Sequence, residues 1–97
     1  MERYKLESVW IDGEKVHFHT GLIKVPNSGE NHSWTITIET AYSDFLSDLQ
    51  QQGKLATIEM NDEIGRSLKG RGFVSSSSYT KEYQRFLLTG TARLTVS

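Results

Sequence analysis

The sequence predicts an α+β, mostly β domain: a small antiparallel curved sheet or partly closed barrel of about six strands with one helix, in the order βββαβββ. Apolar residues recur with a period of two over most of the chain, and one central stretch changes to helical spacing. The segments between these stretches are short, which favours antiparallel hairpins on either side of the helix.

Length and composition predict a single domain over residues 1–97, with 36% apolar and 10% aromatic residues to form its core. The 11 basic and 12 acidic residues give a net charge of −1, so nothing global attracts the chain to nucleic acid or to a membrane. There is no cysteine, which excludes disulfides and thiolate chemistry. The charged start of the chain lacks the apolar run of a signal peptide, and we expect a cytoplasmic protein.

The first third of the chain predicts a hairpin. Residues 4–11 alternate in polarity and end at the turn pair Asp12-Gly13, and a second strand follows over 15–25. A two-residue turn would place Leu6 opposite His19. A three-residue loop would place Trp10 opposite Val16 and pair apolar residues with each other. Because the buried face normally decides register, we expect the longer loop.

The middle of the chain predicts a loop, a strand and the helix. Residues 26–33 hold the only proline and several turn formers, and the strand 34–40 follows with its apolar side chains inward. Helical spacing then predicts a helix at about 41–52, with an apolar stripe formed by Tyr42, Phe45, Leu46 and Leu49. Thr40 or Ser43 is expected to cap its start, and Gly53 to end it.

The last part of the chain predicts three strands, at 55–60, 66–76 and 84–96, with a turn at 61–65 and a loop at 77–83. Gly70 and Gly72 fall on the inward face of the middle strand, and Gly90 falls on the inward face of the last one. Glycines at such positions let strands bend sharply where a small barrel closes.

The stretch KGRGFVSS at 69–76 is similar to the octapeptide with which RNA-recognition motifs stack bases. Arg71 and Ser76 stand where that octapeptide needs aromatic residues, and the fold it belongs to needs a helix between its first two strands. We therefore expect no RNA recognition of that type. A weak, sequence-nonspecific single-strand binding face remains an alternative, formed by Lys69, Arg71, Phe73, Arg85 and Arg93.

Metal binding is a second alternative, because His17 and His19 fall on one face of the predicted strand 15–25. Glu7 and His32 could complete such a site. An ordinary solvated strand face explains the same pattern. Asp44 and Asp48 on the helix, and the hydroxyls of residues 75–78, lack a partner arrangement for catalysis, so we expect neither an enzyme nor a cofactor.

In layout the chain resembles small uncharacterised proteins of Gram-positive bacteria and their prophages, in which a strand and helix like TIET-AYSDFLSDL precede a three-strand half. It is also similar to the barrel-plus-helix subunits of phage tail tubes and baseplates, in which the last strand looks like FLLTGTARLTV. The resemblance covers about residues 34–97 and rests on element order. Separately, the unpaired edge strands expected of a small open sheet, and the threonine-rich outer faces at 35–40 and 89–95, predict an interaction or assembly module that contacts a protein partner or copies of itself.

Overall fold

The computed structural model describes residues 2–26, 34–41, 44–91 and 94–96. Eight strands and one helix follow each other in these ranges. They are β1 (Glu2–Ile11), β2 (Glu14–Val16), β3 (Thr20–Val25), β4 (Thr35–Thr40), α1 (Asp44–Gln52), β5 (Ala56–Asp62), β6 (Ser67–Tyr79), β7 (Gln84–Gly90) and β8 (Thr95–Val96).

Six of these strands form a closed antiparallel barrel in the order β1-β3-β4-β7-β6-β5, and β5 pairs again with β1. The two short strands are additions, since β2 pairs with β1 and β8 pairs with β6. The predicted mostly β fold and its element order are therefore confirmed. Closure pairs β1 with β5, so the expectation that the sheet has open edges for strand addition is wrong.

A β-bulge in β1 changes which of its side chains point inward. Leu6 pairs with Asp62 of β5, but Ser8 pairs with Asn61, so Glu7 is an extra residue in β1. Because side chains alternate between the two faces of a strand, the extra residue exchanges the faces after it. Leu6 is buried before the bulge, Val9 and Ile11 are buried after it, and Trp10 lies on the outer face.

The bulge also decides the register of the first hairpin. Val9 pairs with Val16 and Ile11 pairs with Glu14, which leaves Asp12 and Gly13 as a two-residue turn. Both turn residues have positive φ, 51° and 84°, as a type I′ turn requires. The predicted three-residue loop is wrong. Val9, and not Trp10, is the inward residue, and the shorter turn is the one that pairs it with Val16.

The predicted strand 15–25 is broken after Val16, and β3 begins at Thr20. Phe18, between the two, packs against the barrel core. A β-carbon added to Gly21 would lie 3.0 Å from the Phe18 ring, so the glycine leaves room for it. The Thr40 hydroxyl donates to the His17 carbonyl at 2.9 Å and the His19 amide donates to the Glu39 carbonyl at 2.7 Å. These bonds replace the ladder that the break interrupts.

Within the described residues, the predicted strand 84–96 forms β7, which ends at Gly90, and β8 at Thr95–Val96, and the Thr91 amide donates to the Arg71 carbonyl of β6 at 2.9 Å. Leu94 packs against the core, but Val96 is 52% exposed and does not continue the inward face. The neighbouring β6 runs to Tyr79, further than predicted, and residue 80 donates to the carbonyl of residue 83 to close the turn into β7.

The helix α1 packs its apolar side against the barrel. Leu46 is fully buried, Phe45 and Leu49 pack on the core, and Gly53 with φ 61° ends the helix with its amide donating to the Leu49 carbonyl at 3.1 Å. The helix begins at Asp44, later than predicted, and Tyr42 and Ser43 lie outside the described residues. Thr40 belongs to β4 and bonds to His17, so its predicted capping role is wrong.

The indole of Trp34 is fully buried inside the barrel, in space that Gly70 and Gly90 leave open. A β-carbon on Gly90 would overlap the indole ring, and one on Gly70 would lie 2.5 Å from it. A β-carbon on Gly72 would lie 2.5 Å from the Thr89 carbonyl oxygen. The inward placement predicted for these glycines is confirmed, and the structure adds its reason: β6, β7 and Trp34 approach closely here.

We expect Gly90→Ala to destabilise the protein by about 1–3 kcal/mol, because the added methyl group overpacks the site against the Trp34 ring. Urea unfolding followed by circular dichroism measures this change in free energy. Combining the substitution with Trp34→Leu, which removes the ring, is expected to cost less than the sum of the two single changes. Additive costs would contradict the assignment of the Gly90 space to Trp34.

Gln84 is 2% exposed, and neither the nitrogen nor the oxygen of its side-chain amide has a hydrogen-bond partner in the structure. We expect Gln84→Leu to stabilise the protein by about 1–3 kcal/mol, because leucine has no polar group to desolvate. Thr40, its cross-strand neighbour, is the matched control. Since the Thr40 hydroxyl is bonded, Thr40→Val is expected to destabilise. Chemical unfolding measures both, and a loss of stability in Gln84→Leu would disprove this account.

Candidate functional site

A surface of leucine and threonine side chains lies on the outer side of the barrel across β3, β4 and β7. The strand registers place Leu22 beside Thr37 and Thr37 beside Leu87 in one cross-strand row. The adjacent row pairs Thr35 with Thr89, and Lys24 of β3 borders the surface at the end of that row. All five side chains are half-buried, and together they form what we call the β4–β7 face: Leu22, Thr35, Thr37, Leu87 and Thr89. A cavity of about 610 Å³ opens over its Leu22 end.

An ion pair lies at one border of the β4–β7 face. Arg85 of β7 donates to the Glu39 carboxylate at 2.8 Å, and the Thr20 hydroxyl donates to it at 2.7 Å. The hydrogen bond from Arg85, followed by those from Thr20 and Tyr83, lowers the pKa of Glu39 from 4.5 to about 2. The carboxylate is therefore charged at any physiological pH and holds β4 to β7 on the outer surface.

We expect the ion pair to contribute stability that depends on pH. The pKa of Glu39 is lower in the folded chain, so its contribution is fully present above pH 4.5 and is lost as the pH falls towards about 2. The variant Glu39→Gln should therefore be less stable than the parent protein at pH 6 and equal to it near pH 2. Urea unfolding at a series of pH values measures the difference. A gap that does not change with pH would contradict the assignment.

A second ion pair closes the turn between β5 and β6. The buried Asp62 carboxylate accepts the Arg66 amide at 2.7 Å, the Arg66 Nε at 2.8 Å and the Ile64 amide at 3.2 Å. The Arg66 guanidinium also lies 4.0 Å from the centre of the Tyr4 ring. Desolvation opposes the charge on Asp62, but the bonds from Arg66 and Ile64 outweigh it, and its pKa is lowered. This cluster fixes the turn.

The structure brings together three of the five residues of the predicted nucleic-acid face. Lys69 and Arg71 are exposed on the outer side of β6, and Phe73 follows there half-buried, bordering a small cavity with Leu49 and Lys54. Arg85 lies beyond the β-bulge after Val74 and is paired with Glu39. Arg93 lies outside the described residues. The cross-strand neighbour of Lys69 is Glu59. Its carboxylate carries the same sign of charge as phosphate and therefore disfavours the binding of a polyanion.

His17 and His19 lie in the break between β2 and β3, so the prediction that they share one strand face is wrong. They border different cavities, His17 with Phe45 and His19 with Glu39. Among the described residues, no group of three or more histidine or carboxylate side chains is placed to hold a metal ion. His32, the further ligand considered, lies outside these residues.

The residues considered for catalysis have separate surroundings. Asp44 and Asp48 are both exposed on α1. The Ser75 hydroxyl contacts the Leu87 carbonyl at 3.0 Å and the Thr89 hydroxyl at 2.9 Å, so it fills the bulge between β6 and β7. These contacts are structural.

Sequence patterns missed one surface, a cavity of about 440 Å³ beside Trp10. We call it the Trp10 cavity. Its lining combines the half-buried Trp10, two buried apolar residues and a polar rim: Trp10, Gly13, Met60, Leu68, Glu59, Asn61, Ser67 and Lys69. Strict alternation assigns Trp10 to the same face as Leu6, and only the bulge in β1 separates them.

The fold and these surfaces define a small closed antiparallel β-barrel with one packed helix. No protein-family model and no curated protein sequence matches the chain. A crystal structure of a hypothetical protein from Staphylococcus aureus is similar, with a TM-score of 0.73 and 15% identity, over 96% of this chain and 71% of that one. The fold is thus shared with a protein of a Gram-positive bacterium. The likeness to phage subunits stays a prediction.

Within the described ranges, no helix has the length and apolar character needed to cross a membrane.

Proposed function

We propose that this domain is a non-enzymatic assembly module that pairs with a second copy of itself through the β4–β7 face. The observation that carries the proposal is the set of five uncharged, half-buried side chains, which spans β3, β4 and β7 in one cross-strand row and β4 and β7 in the next, where Lys24 of β3 borders it. Sheet faces of this kind pack against each other in β-sandwiches and interfaces. The resemblance to phage tail subunits implies the same kind of role.

A second copy fits this face for reasons of charge. The net charge of −1 gives two copies almost no mutual repulsion. A two-fold axis parallel to the strands and between β4 and β7 lays β4 of one copy over β7 of the other. Since Glu39 and Arg85 occupy the same cross-strand row, each carboxylate then faces a guanidinium across the interface. The arrangement is complementary to itself.

The two carboxylates with shifted pKa values support a role without catalysis. Glu39 and Asp62 both have their pKa lowered and both are held by arginines. A carboxylate of this kind is a poor proton acceptor at neutral pH, because general bases work best when their pKa lies near the working pH. Their charges are accounted for by the ion pairs that hold strands and turns in place.

The solution mass tests the proposal. Three strands at about 4.8 Å spacing make a narrow interface, so we expect a concentration-dependent equilibrium between monomer and dimer. Analytical ultracentrifugation should show a mass that rises from 11.0 kDa towards twice that value as concentration increases.

The variant Leu87→Glu should remain at 11.0 kDa, because it places a charge at the centre of the face. The matched control is Thr57→Glu, another half-buried outward strand position, which lies beside Arg71 on β6 and should behave like the parent protein. A parent protein that stays monomeric at about 1 mM would disprove the proposal. The dissociation constant of a dimer would then exceed about 1 mM, which corresponds to a binding free energy weaker than about −4 kcal/mol. Equal effects of both variants would disprove the position of the interface.

A further inference from the structure

The position of Trp10 is the starting observation. Its indole lies half-buried on the outer side of β1, between Lys15 of β2 and Glu59 of β5 in the same cross-strand row. A tryptophan is among the side chains that gain most from burial. The bulge at Glu7 keeps Trp10 out of the core, and its indole lines the Trp10 cavity.

The cavity joins an apolar wall to a polar rim. Trp10 is the apolar side chain of its wall, since Met60 and Leu68 have their side chains buried in the core on the other side of the sheet. The rim supplies acceptors from Glu59 and donors from Lys69, and the Asn61 amide, whose oxygen accepts the Ser67 hydroxyl at 3.2 Å, offers further donors. Its volume of about 440 Å³ falls in the range of small-molecule sites.

The groups on this rim suit a ligand with hydroxyls around an apolar ring. A sugar in its ring form has an apolar face of C–H groups, which packs on an indole, and an edge of hydroxyls that each donate and accept hydrogen bonds. Glu59 and Lys69 are cross-strand neighbours whose opposite charges offset each other, and Lys15, on the other side of Trp10, does not line the cavity. A neutral ligand therefore suits the site better than an anionic one.

We propose that the Trp10 cavity binds a neutral sugar unit of a glycan, with the indole of Trp10 against the ring and with Glu59, Asn61 and Lys69 bonded to its hydroxyls. The site lies on β1, β5 and β6, away from the β4–β7 face, and the inference is independent of the proposed assembly role. A single-stranded nucleic acid would stack on the same indole, but its phosphates would have to pass the Glu59 carboxylate.

Nuclear magnetic resonance provides the test. Tetramers of N-acetylglucosamine, glucose in β-1,4 linkage and glucose in α-1,4 linkage are titrated separately into the ¹⁵N-labelled protein, with a ten-nucleotide oligothymidine as the competing probe. At least one sugar should shift the Trp10 indole N–H and the Asn61 side-chain signals in a saturable way. The indole N–H of Trp34, which is fully buried, serves as the internal reference.

Variants locate the site. Trp10→Ala should weaken sugar binding by at least about tenfold, which is the effect typical of a central aromatic residue. Tyr79→Ala removes another exposed aromatic residue, 70% accessible, and should leave binding unchanged. If Trp10→Ala fails to fold, Glu59→Ala with Asn61→Ala tests the rim and should weaken sugar binding by a similar factor.

Three results would overturn the inference. They are the absence of a shift at Trp10 with all three sugars at about 10 mM, unchanged affinity in the rim variant, and tighter binding of oligothymidine than of any sugar. In the last case Glu59→Ala should strengthen oligothymidine binding at low salt, because it removes the repelling carboxylate, and the site would be a nucleic-acid surface.

Discussion

The Trp34 indole is packed against backbone that carries no side chains, and the closed barrel depends on this contact. In a barrel of six strands the interior is narrow, and every inward position must be filled without overlap. Gly70 and Gly90 provide the space for the largest side chain in the core. The same glycines lower the intrinsic stability of β6 and β7, because glycine loses more conformational freedom on folding than any other residue. Packing against the indole offsets that cost.

Three irregularities decide what the regular strands present to solvent. The bulge at Glu7 turns Trp10 outward, the break after Val16 puts Leu22 on the outer side, and the bulge after Val74 places Ser76 beside the outward Leu87. Each changes a face because side chains alternate with a period of two. The Trp10 cavity forms because the bulge at Glu7 turns Trp10 outward. His19, which lies in the break between β2 and β3, lines the cavity at the edge of the β4–β7 face.

The two ion pairs of the described residues lie at the border of a surface and at a turn. The pair Glu39–Arg85 holds β4 to β7 beside an uncharged face, and Asp62 with Arg66 closes a turn. Neither pair lies in the Trp10 cavity, where Glu59 and Lys69 form the rim. The two proposed surfaces therefore differ in physical character: one consists of leucine and threonine side chains, and the other places an aromatic side chain beside Glu59 and Lys69. A surface of the first kind suits a sheet of its own kind, and one of the second kind suits a small polar ligand.

The sequence by itself determined the mostly β class, the element order, the helix with its end at Gly53 and the inward glycines, because alternation and helical spacing are local. It also placed Lys69 and Arg71 on the outer side of β6. Only the tertiary structure decided barrel closure, the register of the first hairpin, the break between β2 and β3 and the side on which Trp10 lies. A bulge forms where two distant strands pair with unequal numbers of residues, so its position depends on the partner strand β5 and leaves no mark in the local pattern of β1.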